Sequence, residues 1–174
     1  MSIDIHLAAP IEAPELAALL TDAGQLKMSK GDTAWGPAPF TTEESLGMLA
    51  TGRIYIAHQD GQVAGTVALS WDDEGMWGQK GLDQQAAYIH RLATGSRFRG
   101  QGIGAQIVSW VSDQASEAGR PFLRLDCAYD NRELCNYYEK LGFQETARKD
   151  LPKSQGARNP NNPVYRAALY QKSI

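Results

Sequence analysis

Basic residues are in short supply in this chain: 17 Lys and Arg stand against 20 Asp and Glu, for a formal net charge of −3. A nucleic-acid-binding face needs a clustered basic excess, so no nucleic-acid partner is expected. Cysteine is scarcer still. Cys127 and Cys135 are the only two, eight residues apart and outside any CxxC, which argues against a disulfide framework. His6, His58 and His90 are scattered, with no HExxH and no Cys/His cluster, so no metal site is expected. Long apolar runs are also missing. None approaches the ~20 residues that cross a bilayer, and MSIDIHLAAP has no basic region leading into an apolar core, so neither a membrane span nor a signal peptide is expected. The expected location is the cytoplasm.

What remains is an ordinary globular composition, 43% hydrophobic and 21% charged over 174 residues. That length suits a single domain over 1–174 with a sizeable core. Apolar alternation marks strands at Ser2–Ala9, Arg53–Gln59, Gln62–Trp71, Ala86–Thr94, Pro121–Tyr129, Phe143–Asp150 and Val164–Gln171. The first is expected to be half-buried. Asp60-Gly61 between the second and third is a strong hairpin signal. Helices are expected over Ala13–Gly24, after Thr41 (with Glu44 completing a capping box), after the glycines near Gly102, and from Leu134 to Leu141. Asp72–Gln84 and the Pro- and Asn-rich segment before Val164 read as loops. The order β α α β β β α β α β β implies an α/β (α+β) fold, one mixed sheet flanked by helices, without the alternation of a doubly wound fold.

The stretch RFRGQGIGAQIV carries Gly100, Gly102 and Gly104 and then an apolar repeat at Ile103, Ile107, Val111 and Ala115. Three glycines between a strand and a helix suggest close approach to the backbone. A P-loop is excluded, because no Lys-Ser or Lys-Thr follows. The spacing GxGxG, on the fourth strand, also departs from the Rossmann GxGxxG. RxxGxG before a helix remains. It can turn successive amides toward an anion at the helix N-terminus, where the dipole favours negative charge. A turn that merely permits tight strand–helix packing is the alternative.

YIHRLATGSRFRGQGIGAQIV and, downstream, LRLDCAYDNRELCNYYEKLGF together resemble the GNAT superfamily, the acyl-CoA-dependent N-acyltransferases. The clear resemblance covers Ala86 to Phe143. It implies a mostly antiparallel, mixed seven-stranded sheet splayed between strands 4 and 5, with about four helices. It implies acetyl-CoA as acyl donor, without a metal. Leu92, Ala93 and Thr94 would offer backbone to the pantetheine arm. Arg97, Arg99, Gly100, Gln101, Gly102, Ile103 and Gly104 would surround the pyrophosphate, and Asn131 would hydrogen-bond the cofactor. Tyr138 matches the tyrosine that protonates the departing thiolate; the adjacent Tyr137 is its competitor.

The general base is less clear. Some members carry a glutamate eleven residues before the glycine motif's first residue, where this chain has Tyr88. His90, two residues on and on the same strand face, is either a proton relay or a core histidine. Asp126 is a candidate to orient the amine, and Trp35 and Trp71 to wall the acceptor site. Asp72, Asp73 and Glu74 either attract a cation or form a solvated connection. Tyr165 lines the site or serves a homodimer contact. The expected activity is acetyl transfer to a small-molecule primary amine by direct attack in a ternary complex. A protein N-terminal or lysine acetyltransferase and a non-catalytic acyl-CoA sensor are the alternatives.

Overall fold

Ile103, Ile107, Val111 and Ala115 have no solvent exposure at all. They form one face of helix α4 (Ile103–Glu117). In a computed structural model of the protein, which describes residues 3–152 and 164–174, this face lies on the sheet strands β3 (Gln62–Ser70) and β4 (Ala86–Thr94). Burying each large apolar side chain contributes about 1.5–3 kcal/mol, so the stripe anchors the helix firmly. Gly65 in β3 is what lets the helix approach. A Cβ there would lie 2.7 Å from Ile107 Cδ1 and 2.9 Å from the Ala93 carbonyl oxygen.

The remaining strands are β1 (Asp4–Leu7), β2 (Ile54–Gln59), β5 (Phe122–Ala128), β6 (Gln144–Pro152) and β7 (Val164–Ser173). They complete a seven-stranded sheet in the order β1-β2-β3-β4-β5-β7-β6. Every neighbouring pair is antiparallel except β4 with β5. That parallel pair is registered only from Ala86–Phe122 to Ile89–Leu125. Immediately beyond, the β3 partners jump from His90 to Ala93, and Arg91 adopts φ 50°. Such a bulge bends the strand that carries it. β4 and β5 therefore part after Ile89, as the family resemblance implies.

Helix α1 (Ala13–Ser29) and helix α2 (Thr42–Leu49) cover the β2 side, where Leu16, Leu20, Phe40 and Ile56 form a second buried cluster. The capping box is present: Glu44 N–H donates to Thr41 Oγ1 at 3.1 Å and Thr41 N–H to Glu44 Oε2 at 2.7 Å. The hairpin turn is also as expected, with φ 52° at Asp60 and 73° at Gly61, as a type I′ turn requires. Helix α5 (Arg132–Lys140) follows β5.

Three expectations change. α1 does not stop at Gly24 but runs five residues further, with Gly24 buried beside Trp35 and Phe40; Gly31, at φ 80°, lies beyond the end. The first strand is shorter than Ser2–Ala9 and mostly exposed, since it forms a sheet edge. The acidic loop carries a short helix α3 (Glu74–Trp77) and a 3-10 turn (Gly78–Leu82), which makes five helices rather than four among the described residues. Trp77 drives this by inserting into a third cluster with Tyr88, Ala167 and Leu169. The expected Pro- and Asn-rich loop lies outside the described residues. No helix among the described residues is long and apolar enough to cross a membrane.

Gly65→Ala is expected to destabilise the protein by about 1–3 kcal/mol, the usual cost of forcing extra volume into a packed core. Urea unfolding of parent and variant measures this, and equal midpoints would contradict the close-packing role.

Candidate active site

Where β4 and β5 separate, a cavity of 1320 Å³ opens between α1, α3, α4 and α5. One end is the glycine turn. Gly100 and Gly102 sit at φ 78° and 77°, and a Cβ built on either meets nothing within 4 Å. These glycines therefore serve the turn and leave open space above it. Helix α4 begins there with no side-chain cap and no acidic residue in its first turn. By contrast Thr41, Asp73 and Asn131 each cap their own helix. Uncapped first-turn amides at a helix N-terminus form a site for an anion. Gly104 differs from the other two: its missing side chain makes room for the Tyr137 hydroxyl, which crosses from α5 to the start of α4.

The other end holds His90, Asp73, Asp126 and Tyr165. His90 Nε2 lies 3.5 Å from Asp73 Oδ2, and Nδ1 lies 3.9 Å from Asp126 Oδ1. The Tyr165 hydroxyl donates to Asp126 Oδ2 at 2.7 Å. Burial raises the Asp126 carboxyl above the usual carboxylate range, against the opposing hydrogen bond from Tyr165 and the nearby His90. Burial, with the Asp126 charge beside it, also pushes the Tyr165 phenol up. Asp73 Oδ1 accepts the Met76 N–H at 3.1 Å, while Asp73 Oδ2 is buried with no hydrogen-bond partner among the described residues.

Tyr138 also lines the cavity, 6% exposed and packed against Phe143 and Tyr170. Burial holds its phenol well above the ordinary tyrosine range, so it stays protonated at neutral pH. Cys127 borders the same space, and its thiol is likewise pushed up by burial.

The fold brings most of the expected residues to this cavity. Leu92, Ala93, Thr94, Arg99, Gly100, Gly102, Ile103, Gly104 and Asn131 line it, as do His90, Trp35, Asp126 and Tyr138. Several do so under constraint. Arg99 pairs with Asp22 at 2.7 Å. Asn131 receives the Leu134 N–H on Oδ1 and donates from Nδ2 to Asp32, leaving one N–H. The Ile103 side chain is core. Four residues fall outside the lining. Arg97 turns to Gln62, and Gln101 to the Arg97 carbonyl. Trp71 lies on the surface beside Arg120. Tyr88 is 1% exposed, because its hydroxyl accepts from Arg124 and donates to the Lys80 carbonyl. Trp71, expected on the acceptor wall, and Tyr88, at the position of the family glutamate and a candidate substrate contact, therefore both lie outside the cavity lining.

Sequence reasoning left Asp73 among undifferentiated acidic residues. The available signal was its position three residues before Met76, at the start of a helical turn ending on Trp77. Only the tertiary fold turns that turn back over His90.

A family model described as "Acetyltransferase (GNAT) family" matches residues 20–143. The uncharacterized N-acetyltransferase YesJ of Bacillus subtilis is 26% identical over 140 residues, 76% of this chain and 77% of that protein. A GNAT-family acetyltransferase from Listeria monocytogenes has the same fold, with a TM-score of 0.73 at 23% identity over 99% of this chain and 95% of that one. So does yncA from Salmonella typhimurium, solved with its cofactor acetyl-CoA, with a TM-score of 0.67 at 15% identity over 99% and 94% of the two chains.

A carboxyl whose folded pKa is raised stabilises the fold most at low pH, and that contribution is lost as pH rises through the folded value. Relative to the parent, Asp126→Asn is therefore expected to gain in melting temperature as pH rises above about 4, the ordinary carboxylate value, and to level off once the raised folded value is passed. A difference that stays flat or falls over that rise, read by thermal unfolding, would contradict the buried-charge reading.

Proposed function

The chain belongs to the GNAT acetyltransferase family, and on that premise we propose that it moves the acetyl group of acetyl-CoA to a primary amine of a small molecule by direct attack within a ternary complex. Residues 1–174 act in this reading as one acetyltransferase domain. The glycine turn receives the pyrophosphate, in support of which stand the uncapped α4 N-terminus and the open space over Gly100 and Gly102. The pantetheine arm runs along the β5-facing backbone of Leu92, Ala93 and Thr94, beyond the last registered β4–β5 pair.

The observation that carries the acceptor class is the buried Asp73 Oδ2, which makes no hydrogen bond among the described residues and stands 3.5 Å from the His90 imidazole, with Asp126 on that ring's other side. Burying a carboxylate oxygen without a partner is costly, and an ammonium group delivers both a hydrogen bond and the opposite charge. Competing cations along the cavity are engaged elsewhere: Lys27 with Asp32, Lys30 with Glu133 and Arg53 with Ser70. Trp35 lines the same cavity, with Lys27 and Arg91 over its ring.

In this reading Asp73 and Asp126 receive the protonated amine, and His90 takes its proton, directly or through a water. The free amine attacks the thioester carbonyl, forming the C–N bond. A backbone N–H of β4 beyond the bulge meets the oxyanion. As the C–S bond breaks, the Tyr138 hydroxyl donates its proton to the leaving sulfur. Its raised pKa keeps that proton available until then. The nitrogen, acidified by C–N bond formation, gives up its second proton to the phenolate, directly or through a water, which leaves the amide, CoA thiol and a neutral Tyr138.

The test is CoA thiol release from acetyl-CoA against a panel of small amines, polyamines, aminoglycosides and short peptides. A small cationic amine is expected to score, and peptides are not. With that amine, Tyr138→Phe is expected to lower kcat about 10-fold or more, at or below the usual range for a general acid, with acetyl-CoA affinity unchanged. Activity only on peptides would overturn the small-molecule assignment, and an unchanged kcat would remove Tyr138 from the acid role. Silence across the panel by a protein that binds acetyl-CoA would favour the sensor reading.

A further inference from the structure

Two of the three scattered histidines meet at the far edge of the sheet. Asp4 pairs with His58, and His6 with Ile56, across β1 and β2. His6 and His58 are therefore diagonal neighbours on one sheet face, close enough for large side chains to touch. Their rings stack with centroids 5.1 Å apart and planes 11° from parallel. Glu12, at the 3-10 turn leading into α1, reaches back to the same point. Its Oε1 lies 3.1 Å from His6 Nε2 and 3.7 Å from His58 Nε2. One donor atom from each residue falls within 4.8 Å of the other two. A hollow of 700 Å³ opens beside them, and none of the three residues lines the acetyltransferase cavity.

We propose that His6, Glu12 and His58 form a second site, one that binds a divalent transition-metal ion of the zinc class. Two imidazole nitrogens and one carboxylate oxygen are a ligand set zinc takes, at about 2.0–2.2 Å from each donor. Ligands at that range around one ion stand some 3–4 Å apart, the separation Glu12 Oε1 keeps from both imidazoles. The surrounding contacts also suit a metal ligand set. Ala9 N–H donates to Glu12 Oε2 at 2.8 Å, fixing the carboxylate and leaving Oε1 aimed at the rings. Asp4 Oδ2 stands 3.8 Å from His6 Nδ1, where a carboxylate favours the tautomer that frees Nε2 for a metal.

His58 supplies a separate observation. Its Nδ1 is buried with no hydrogen-bond partner among the described residues, and its Nε2 stops 3.7 Å short of Glu12. A plain cluster of hydrogen bonds would leave this ring without one. A metal at Nε2 gives that nitrogen a partner, while the buried Nδ1 stays without the outer hydrogen bond that a ligating imidazole ordinarily makes. The site differs from Asp73, His90 and Asp126, which also converge but face the acetyltransferase cavity with two carboxylates and one imidazole.

Full-length protein stripped with a chelator is titrated with ZnCl₂ by calorimetry, and with Co²⁺ by its visible absorption. One ion per chain is expected at neutral pH, with affinity falling on acidification as the ligands take up protons. His58→Ala and His6→Gln should each weaken binding beyond the roughly 10–100-fold that loss of an outer-shell partner costs. Glu12→Gln, which can still accept the Ala9 N–H, should do the same while leaving the melting temperature of the metal-free protein near the parent value. His90→Ala should bind as the parent does. No binding, binding undiminished in His58→Ala and Glu12→Gln, or binding lost in His90→Ala alone would each overturn the proposal.

Discussion

Parallel pairing between β4 and β5 ends at Ile89 and Leu125, and the cavity exists because it ends there. Backbone amides and carbonyls in a protein interior need partners. A sheet that opens in its middle must find them elsewhere, and in this fold the opening faces a cavity rather than another strand. The Arg91 bulge, which holds a non-glycine residue at positive φ, marks the point of departure. A strained backbone at such a point is stable only when its surroundings over-determine it. Those surroundings are α4 packed against β3 and β4 on one side and the α1 cluster on the other.

A second constraint holds the far wall. Arg124, 1% exposed, donates to the Lys80 carbonyl, to both oxygens of Asp83, to the Tyr88 hydroxyl and to Gln171. Its guanidinium lies over the rings of Trp77, Tyr88 and Phe122. The Arg124 hydrogen bond holds the Asp83 carboxyl below the usual carboxylate range. A buried cation is tolerated only when its donors are satisfied, and these partners all come from the segment that closes over His90 or from strands beside it. The Asp73 N–H donates to the Gly81 carbonyl in the same segment. Arg124 thereby ties down the connection that carries Asp73, although it lies outside the cavity lining itself.

Local chemistry in the sequence was legible where one short segment decides the outcome. The four-residue repeat from Ile103 to Ala115, the Asp60-Gly61 turn and the Thr41–Glu44 box each needed only their own neighbours, and each formed. The turn at Gly100 and Gly102 was equally plain, since positive φ belongs to glycine. Gly24 misled because a helix carries an interior glycine at only about 1 kcal/mol against alanine, and composition does not separate that from a helix end. Tyr88 shows another limit: strand alternation puts it on the His90 face, but the Trp77 insertion covers it and Arg124 takes its hydroxyl, so it does not reach the cavity. His90 and Asp126 were legible one by one, but that Asp73 joins them, and that Glu12 joins His6 and His58, was not, because only the tertiary fold brings those elements together.

The central claim is that the opened strand pair and the glycine turn form one continuous seat for acetyl-CoA. A crystal structure of the protein with acetyl-CoA bound tests it most directly. The account predicts pantetheine amides paired with β4 backbone at Leu92 to Thr94, the pyrophosphate over Gly100 to Gly104, and the thioester within reach of Tyr138 and His90. Acetyl-CoA lying outside the β4–β5 opening, or a thioester remote from Tyr138, would contradict it.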